Sequence, residues 1–109
     1  TLIYRQIEYF FNVLPNTKEL IDLNKTLYFE DNYFDAIMCV GTFTYGHVKA
    51  HTLNEFIRIT KNNGFICFTV NEGIYSEYKF DKKIDELSEN NSWKVIKVHF
   101  KILRVLLPV

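Results

Sequence analysis

The sequence lacks the patterns that mark a membrane span, a nucleic-acid-binding tail or a metal site. Its 109 residues include one methionine, one tryptophan and two prolines, and no apolar run approaches the ~20 residues that a membrane-spanning helix needs. Lysine plus arginine and aspartate plus glutamate number 13 each, so no net field attracts nucleic acid. We therefore expect neither a nucleic-acid nor a membrane partner.

Cysteine is equally scarce. Cys39 and Cys67 each lie within an apolar run, and two widely separated cysteines form no zinc motif. We expect both to be buried free thiols in a reducing compartment, which indicates a cytoplasmic location and no bound metal. No signal peptide is visible, and the first residue is threonine, so either the start was processed or the chain is a piece of a longer one.

What the sequence does have is apolar and aromatic content. Hydrophobic residues make up 48% and aromatic residues 17%, which excludes a disordered tail. The length corresponds to one domain with a modest core. Residues 2–14, LIYRQIEYFFNVL, have helical spacing and end before Pro15, so they predict an amphipathic N-terminal helix within residues 1–16. Residues 18–23 predict a short strand.

The middle of the chain has the pattern of a strand, a helix and a second strand. Residues 34–40, FDAIMCV, are apolar on both faces, as in a sheet covered on both sides. Residues 50–60 predict a helix with Glu55 and Arg58 on its outer face, and the turn 61–64 ends it with a glycine able to take a positive φ. Residues 65–70, FICFTV, then predict a strand parallel to the first, with a right-handed crossover.

The last third of the chain contains one more helix and two apolar segments. Residues 80–91 place Phe80 inward among acidic and basic positions and predict a helix. Residues 93–100, WKVIKVHF, predict a strand with one wetter face near a sheet edge. Residues 102–109 are apolar, but Pro108 is awkward in a central strand.

Four segments resemble the class I S-adenosylmethionine-dependent methyltransferases. Residues 22–25 (DLNK) and 27–36 (LYFEDNYFDA) are similar to the run that joins the third and fourth strands of that family. Residues 40–42 (VGT) resemble the end of its fourth strand. Residues 53–65 (LNEFIRITKNNGF) resemble the helix and turn before its fifth strand. The subgroup resembled most is that of the Williams–Beuren-region methyltransferase-like proteins.

The resemblance covers the C-terminal half of that family's fold. It implies an α/β chain with a partial Rossmann-like parallel sheet and flanking helices, lacking the first strands. The GxGxG loop after the family's first strand is missing, and so is the acidic residue after its second strand. The family's seventh strand, antiparallel between the fifth and sixth, is not evident either. We therefore expect a single partial methyltransferase-like domain over 1–109, with a sheet-and-helix core over 18–109.

The resemblance also implies a cofactor site. Asp22 would accept a hydrogen bond from the adenine amino group, and Leu23 would cover the adenine face. Val40, Gly41 and Thr42 lie at the carboxyl end of a strand, where open α/β sheets bind ligands. The alternatives are a solvated turn carboxylate at Asp22 and an ordinary strand-to-helix turn after Val40.

The following loop would face the methyl acceptor. Tyr45 and His47 are the candidate substrate-binding residues, and His47 could be a general base or simply a surface histidine. Tyr75 and Tyr78 would help to roof the acceptor site or pack in the core. No residue is identified as catalytic.

Two functions remain open at this point. The first is a fragment or half of an S-adenosylmethionine-dependent methyltransferase acting on a small molecule. The second is a non-catalytic, degenerate methyltransferase-like module that folds or associates without cofactor, with an exposed sheet edge as one route of association. Because the GxGxG loop is absent, we expect the isolated chain to be inactive and to bind S-adenosylmethionine weakly or not at all.

Overall fold

The computed structural model describes residues 25–46, 48–99 and 101–109 and three short strand segments before them. In chain order the strands are β1 (Ile3–Tyr4), β2 (Glu8–Tyr9), β3 (Leu20–Ile21), β4 (Phe34–Phe43), β5 (Thr60–Val70), β6 (Lys94–His99) and β7 (Ile102–Leu106). The helices are α1 (Thr52–Ile59), a 3₁₀ turn (Glu72–Ile74) and α2 (Phe80–Glu89). No helix in these ranges is long and apolar enough to cross a bilayer.

Five of the described strands form a sheet in the order β2-β4-β5-β7-β6, and β1 pairs with β3 in a separate two-stranded sheet. β4 and β5 are parallel neighbours joined through α1, which confirms the predicted strand-helix-strand unit. The Rossmann-like α/β class is confirmed as well. The sheet is mixed, however, because β2 is antiparallel to β4 and β7 is antiparallel to both β5 and β6.

The position of β7 corrects one expectation. A seventh strand was not evident from the sequence, yet Ile102–Leu106 lies antiparallel between β5 and β6, where the resembled family has that strand. Strand β7 ends at Leu106, so Pro108 lies beyond it and removes no ladder hydrogen bond. The Pro108 carbonyl instead accepts a hydrogen bond from the Asn63 amide at 2.8 Å.

The N-terminal helix predicted within residues 1–16 is wrong at the four residues of that segment that the structure describes. Ile3–Tyr4 pairs with β3, and Glu8–Tyr9 pairs with Met38 and Ile37 of β4. The segment is rich in isoleucine, tyrosine and phenylalanine, which favour strands, and its helical spacing alone suggested otherwise. The short strand predicted over 18–23 is present as Leu20–Ile21.

Both described α-helices pack on the same face of the sheet. The ring of Phe43, at the end of β4, lies 6.0 Å from that of Phe56 in α1 and 5.0 Å from that of Phe80 in α2. The same ring meets Phe68 of β5 edge-on at 5.7 Å, and Phe68 stacks on Trp93. All five side chains are at most 3% exposed, so this aromatic cluster fixes the helices over the central strands.

The turn between α1 and β5 differs from the prediction in the residue that takes the positive φ. Asn63, rather than Gly64, has the positive φ of 67°. Gly64 is required for close packing, because a Cβ built there would lie 2.6 Å from the Asp35 carbonyl oxygen and 2.8 Å from that of Lys61. The register jumps here, since Phe34 pairs with Thr60 while Ala36 pairs with Phe65. Residues 61–64 therefore bulge out where β5 begins.

An arginine on α1 fastens the loop before β4. Arg58 donates to both carboxylate oxygens of Glu55, to the Asp31 carboxylate, and to the carbonyl oxygens of Leu27 and Phe29, at 2.7–2.9 Å. Glu55 also accepts from the Leu27 amide at 2.9 Å. The prediction that Glu55 and Arg58 lie on the outer face of the helix is therefore incomplete, because both are half-buried and hold the loop 27–31.

Candidate functional site

The carboxyl end of β4 is a bulge rather than a continuous strand. Cys39 pairs with Phe68 and Phe43 pairs with Val70, so three residues of β4 lie opposite the single residue Thr69. Gly41, within the bulge, has φ +73°, which favours glycine, and a Cβ built on it would meet nothing within 4 Å. The backbone there is exposed and open to a ligand.

A hydroxyl from the neighbouring strand fixes the bulge. The Gly41 amide donates to Thr69 Oγ1 at 2.9 Å, which satisfies a donor that the bulge removes from the ladder. Because β4 and β5 are parallel, Gly41 and Thr69 lie at the same edge of the sheet. Sequence reasoning missed Thr69, although the rule that ligands bind at strand carboxyl ends applies to β5 as much as to β4.

The residues on either side of Gly41 face opposite environments. Val40 is 63% exposed, which is unusual for an apolar side chain in the middle of a sheet. Thr42 is fully buried, and its hydroxyl oxygen has no hydrogen-bond partner among the described residues. A buried hydroxyl without a partner costs stability. The buried Thr42 hydroxyl therefore destabilises the bulge, and no hydrogen bond among the described residues compensates for it.

Tyrosines border the loop that follows β4. Tyr45 is 54% exposed, and its ring lies edge-on to that of Tyr78 with centroids 6.4 Å apart. The Tyr78 hydroxyl accepts a hydrogen bond from the Gly46 amide at 3.0 Å. A Cβ at Gly73 would collide with the Tyr45 hydroxyl, so the glycine leaves room for that side chain. The Tyr45 ring is therefore half-exposed beside this loop.

The segment after β5 is tied to the same edge. The Asn71 amide donates to the Phe43 carbonyl at 2.9 Å, and the Asn71 side chain accepts from the Gly73 amide at 2.8 Å. These bonds hold the 3₁₀ turn against the end of β4. Residues 75–80 follow this turn. Phe80 belongs to the core, as predicted, with 0% exposure.

Two lysines lie over tyrosine rings at this edge. Lys49 Nζ is 5.0 Å from the Tyr78 ring centroid, and Lys101 Nζ is 4.0 Å from that of Tyr75. Burial raises the pKa of Tyr75 above its ordinary value of 10, and the carboxylates of Asp81 and Asp85 raise it further. The Tyr75 phenol is therefore protonated at neutral pH and acts here as a cation-binding ring, not as a base.

The structure brings four of the predicted site residues to one edge: Val40, Gly41, Thr42 and Tyr45. The other three, Asp22, Leu23 and His47, lie outside the described residues. Among the residues that are described, no group of three or more His, Cys, Asp or Glu side chains could hold a metal ion. This edge therefore offers an exposed glycine backbone beside a half-exposed aromatic ring.

The two cysteines differ in burial and lie on opposite faces of the sheet. Both are free thiols, and Cys39 is buried as predicted, but Cys67 is half-buried. Cys39 pairs with Phe68, whereas Cys67 pairs with Met38, so the two thiols point to opposite faces of the sheet. The prediction that both are buried is wrong for Cys67, because the face it occupies is not covered by α1 or α2.

The chain matches known proteins over this same region. A family described as a methyltransferase domain matches residues 12–68. A crystal structure from Methanococcus maripaludis, assigned as an S-adenosyl-L-methionine-dependent methyltransferase, matches with a TM-score of 0.55 and 17% identity. That match covers 82% of this chain and 52% of the other, so the chain spans about half of that protein's length. No curated protein matches significantly.

The matched residues 12–68 include the loop 27–31, the bulge at Gly41, helix α1 and most of β5. They make up more than half of the 109 residues. At 17% identity the solved structure supports the fold, and its TM-score agrees with the Rossmann-like α/β class described above. The chain belongs to the methyltransferase-domain family, and its fold is that of a class I methyltransferase.

Proposed function

We propose that the chain is the C-terminal half of an S-adenosylmethionine-dependent methyltransferase that acts on a small molecule, of the Williams–Beuren-region methyltransferase-like subgroup. The observation that carries this proposal is the open bulge at Gly41. It lies at the carboxyl end of β4, beside the parallel strand β5, with a positive φ and free space around it. Such an edge is where open α/β sheets receive ligands.

In this proposal the chain supplies one wall of the cofactor site. Asp22 and Leu23 hold the adenine end, while the backbone from Val40 to Thr42 lines the region near the methyl donor. Bound S-adenosylmethionine would supply the methyl group. The protein's contribution to the reaction is alignment of donor and acceptor, since displacement at a methyl group depends on geometry.

Tyr45 and His47 are proposed to contact the acceptor. The half-exposed Tyr45 ring is held by its edge-on contact with Tyr78, which limits its motion. An aromatic face in this place can also stabilise a cation in its vicinity. A reducing, cytoplasmic location is part of the same proposal, and the two free thiols support it.

One observation favours the second function, a non-catalytic module. Strand β2 occupies the other side of β4 and runs antiparallel to it. Its carboxyl end therefore points to the edge opposite Gly41, unlike that of a parallel neighbouring strand. Together with the absence of a GxGxG loop, this supports an isolated chain that folds without using the cofactor.

Nuclear magnetic resonance of the ¹⁵N-labelled chain tests the site. Addition of S-adenosylmethionine up to about 10 mM should shift the amide signals of Val40 to Thr42 and Tyr45, with smaller effects on α2. A Gly41→Val variant, which fills the open space and strains the positive φ, should lose those shifts. Shifts confined to other surfaces, or shifts that Gly41→Val leaves unchanged, would refute the proposed site.

A further inference from the structure

Two glycines with positive φ bound residues 41–46, called here the site segment. Gly41 has φ +73° and Gly46 has φ +72°, and a Cβ built on either of them would meet nothing within 4 Å. Both positions therefore require glycine for the left-handed backbone and not for close packing. A backbone amide in this conformation still requires a hydrogen-bond acceptor.

Both glycine amides find the same kind of acceptor, a side-chain hydroxyl. The Gly41 amide donates to Thr69 Oγ1 at 2.9 Å, and the Gly46 amide donates to the Tyr78 hydroxyl at 3.0 Å. The two acceptors lie 28 and 32 positions further along the chain. Side chains from one later stretch of the chain therefore hold both ends of the site segment.

That later stretch, residues 69–78, is called here the supporting segment. Its Asn71 amide donates to the Phe43 carbonyl at 2.9 Å, which ties the middle of the site segment as well. The three contacts follow the same order along both segments, so the two segments run side by side. The methyltransferase-domain family matches residues 12–68, so that match assigns no role to any residue of the supporting segment.

We propose that Thr69 and Tyr78 are positioning residues of the candidate site, whose hydroxyls hold the site segment in its binding shape before any ligand arrives. That this shape serves ligand binding rests on the proposed function, whereas the shape itself is a property of the free chain. Thr69 is suited to this role because a β-branched side chain has few accessible rotamers. The Tyr78 ring is fixed by its edge-on contact with Tyr45. A segment that is ordered in advance loses less conformational freedom on binding.

Solvent exchange of the two glycine amides, measured by nuclear magnetic resonance on the ligand-free chain, tests the proposal. Thr69→Val keeps the branched shape and removes the hydroxyl, so the Gly41 amide should exchange faster by about fivefold or more. The Gly46 amide should change by less than about twofold in that variant. Tyr78→Phe should give the reverse pattern. Because neither variant alters the chain neighbours of the glycines, the changes report hydrogen bonding.

Two further variants separate positioning from packing. Thr69→Ser keeps the hydroxyl and should restore Gly41 exchange to within about twofold of wild type. Tyr75→Phe is the matched control for Tyr78→Phe, because Tyr75 lies in the same segment and its hydroxyl forms no hydrogen bond within the described ranges. It should change exchange at neither glycine. Trp93 fluorescence during urea unfolding verifies that each variant is folded.

Three exchange results would overturn the positioning role. They are unchanged Gly41 exchange in Thr69→Val, equal acceleration at both glycines in each variant, and a Thr69→Ser effect as large as that of Thr69→Val. The last would assign the effect to packing, because both changes alter the methyl environment but only one removes the hydroxyl.

A second arm adds S-adenosylmethionine at about 10 mM. The shift of the Gly41 amide signal should fall by at least half in Thr69→Val and should persist in Tyr75→Phe. A wild-type shift that Thr69→Val leaves unchanged would overturn the positioning role alone. Wild-type shifts confined to other surfaces would instead overturn the proposed function, and the ligand-free exchange rates would then decide whether the two hydroxyls shape the segment.

Discussion

Removal of the Arg58 side chain should destabilise the protein more than any other single change at a half-exposed position described here. Its guanidinium uses all five donors, toward Glu55 twice, Asp31, and the carbonyls of Leu27 and Phe29. In Arg58→Ala the loop 27–31 loses its attachment to α1. The consequence is local release of the segment that leads into β4 and the candidate site.

The magnitude follows from the contacts. The bonds to the two backbone carbonyls are worth about 1 kcal/mol each. The pair with Glu55 adds about 1 kcal/mol, because both side chains are less than a third exposed. Asp31 adds little, since its side chain is 69% exposed. The expected loss in the free energy of unfolding is about 3 kcal/mol for Arg58→Ala, and less for Arg58→Lys, which keeps the charge but not the planar fork.

Urea unfolding followed by tryptophan fluorescence measures this change. Trp93 is the single tryptophan and is 3% exposed against Phe68, so its emission reports loss of the core. Lys83→Ala is the matched control, because Lys83 pairs with Glu86 at the same helical spacing but at 3.5 Å, and its ammonium binds no carbonyl oxygen in the part of the chain that the structure describes. Lys83→Ala should lower the free energy of unfolding by less than about 0.5 kcal/mol. An Arg58→Ala chain as stable as Lys83→Ala would refute the reasoning.

The pH dependence gives an independent check. The hydrogen bond from Arg58 lowers the pKa of Glu55 below its ordinary value of 4.5, opposed by burial and helped by the Leu27 amide. A carboxyl group whose pKa is lowered in the folded state stabilises the fold at pH values above its ordinary pKa. That contribution is lost as the pH falls through the folded-state pKa. The stability gap between wild type and Arg58→Ala should therefore narrow from pH 7 toward pH 3. A constant gap would contradict the assignment.

Three further predictions concern packing. Gly64→Ala should lower the free energy of unfolding by about 1–3 kcal/mol in urea unfolding, because its Cβ would press on backbone atoms. Gly73→Ala should cost less, because its Cβ would meet the side chains of Tyr45 and Asn71, which can move. Thr42→Val should be neutral or stabilising by up to about 1 kcal/mol, since it replaces an unpartnered buried hydroxyl by a methyl; a loss above that would reveal a hidden partner. A thiol reagent should label Cys67 at least tenfold faster than Cys39 under native conditions, because Cys67 is half-buried and Cys39 is buried, and equal rates would contradict that difference.

The central part of the fold is predictable from the sequence, and the reasons are local. Residues 34–40 and 65–70 are apolar and flank an amphipathic helix, and parallel pairing follows from that order. Strand β7 is harder to predict because its hairpin connection places Lys101 at φ +61°, and a lysine gives no turn signal. The N-terminal segment leads to a wrong prediction because its apolar residues have helical spacing while its residue types favour strands.

The candidate site is only partly predictable. The position of Gly41 at the end of an apolar run indicates a strand terminus, and the ligand rule then applies. The bulge itself depends on the Thr69 hydroxyl, 28 positions further along the chain, which no local pattern announces. The role of Tyr78 depends in the same way on the Gly46 amide, 32 positions away. Both contacts depend on the register in which distant strands pair, and no local sequence pattern indicates that register.

Calorimetric titration of the isolated chain with S-adenosylmethionine tests the central claim most directly. Each net hydrogen bond is worth about 1 kcal/mol, and association costs at least ~4 kcal/mol, so a half-site should bind with a dissociation constant of about 1 mM or weaker. That is the result the account predicts. A micromolar dissociation constant that is lost in Asp22→Ala would contradict it and would show that this chain builds a complete cofactor pocket.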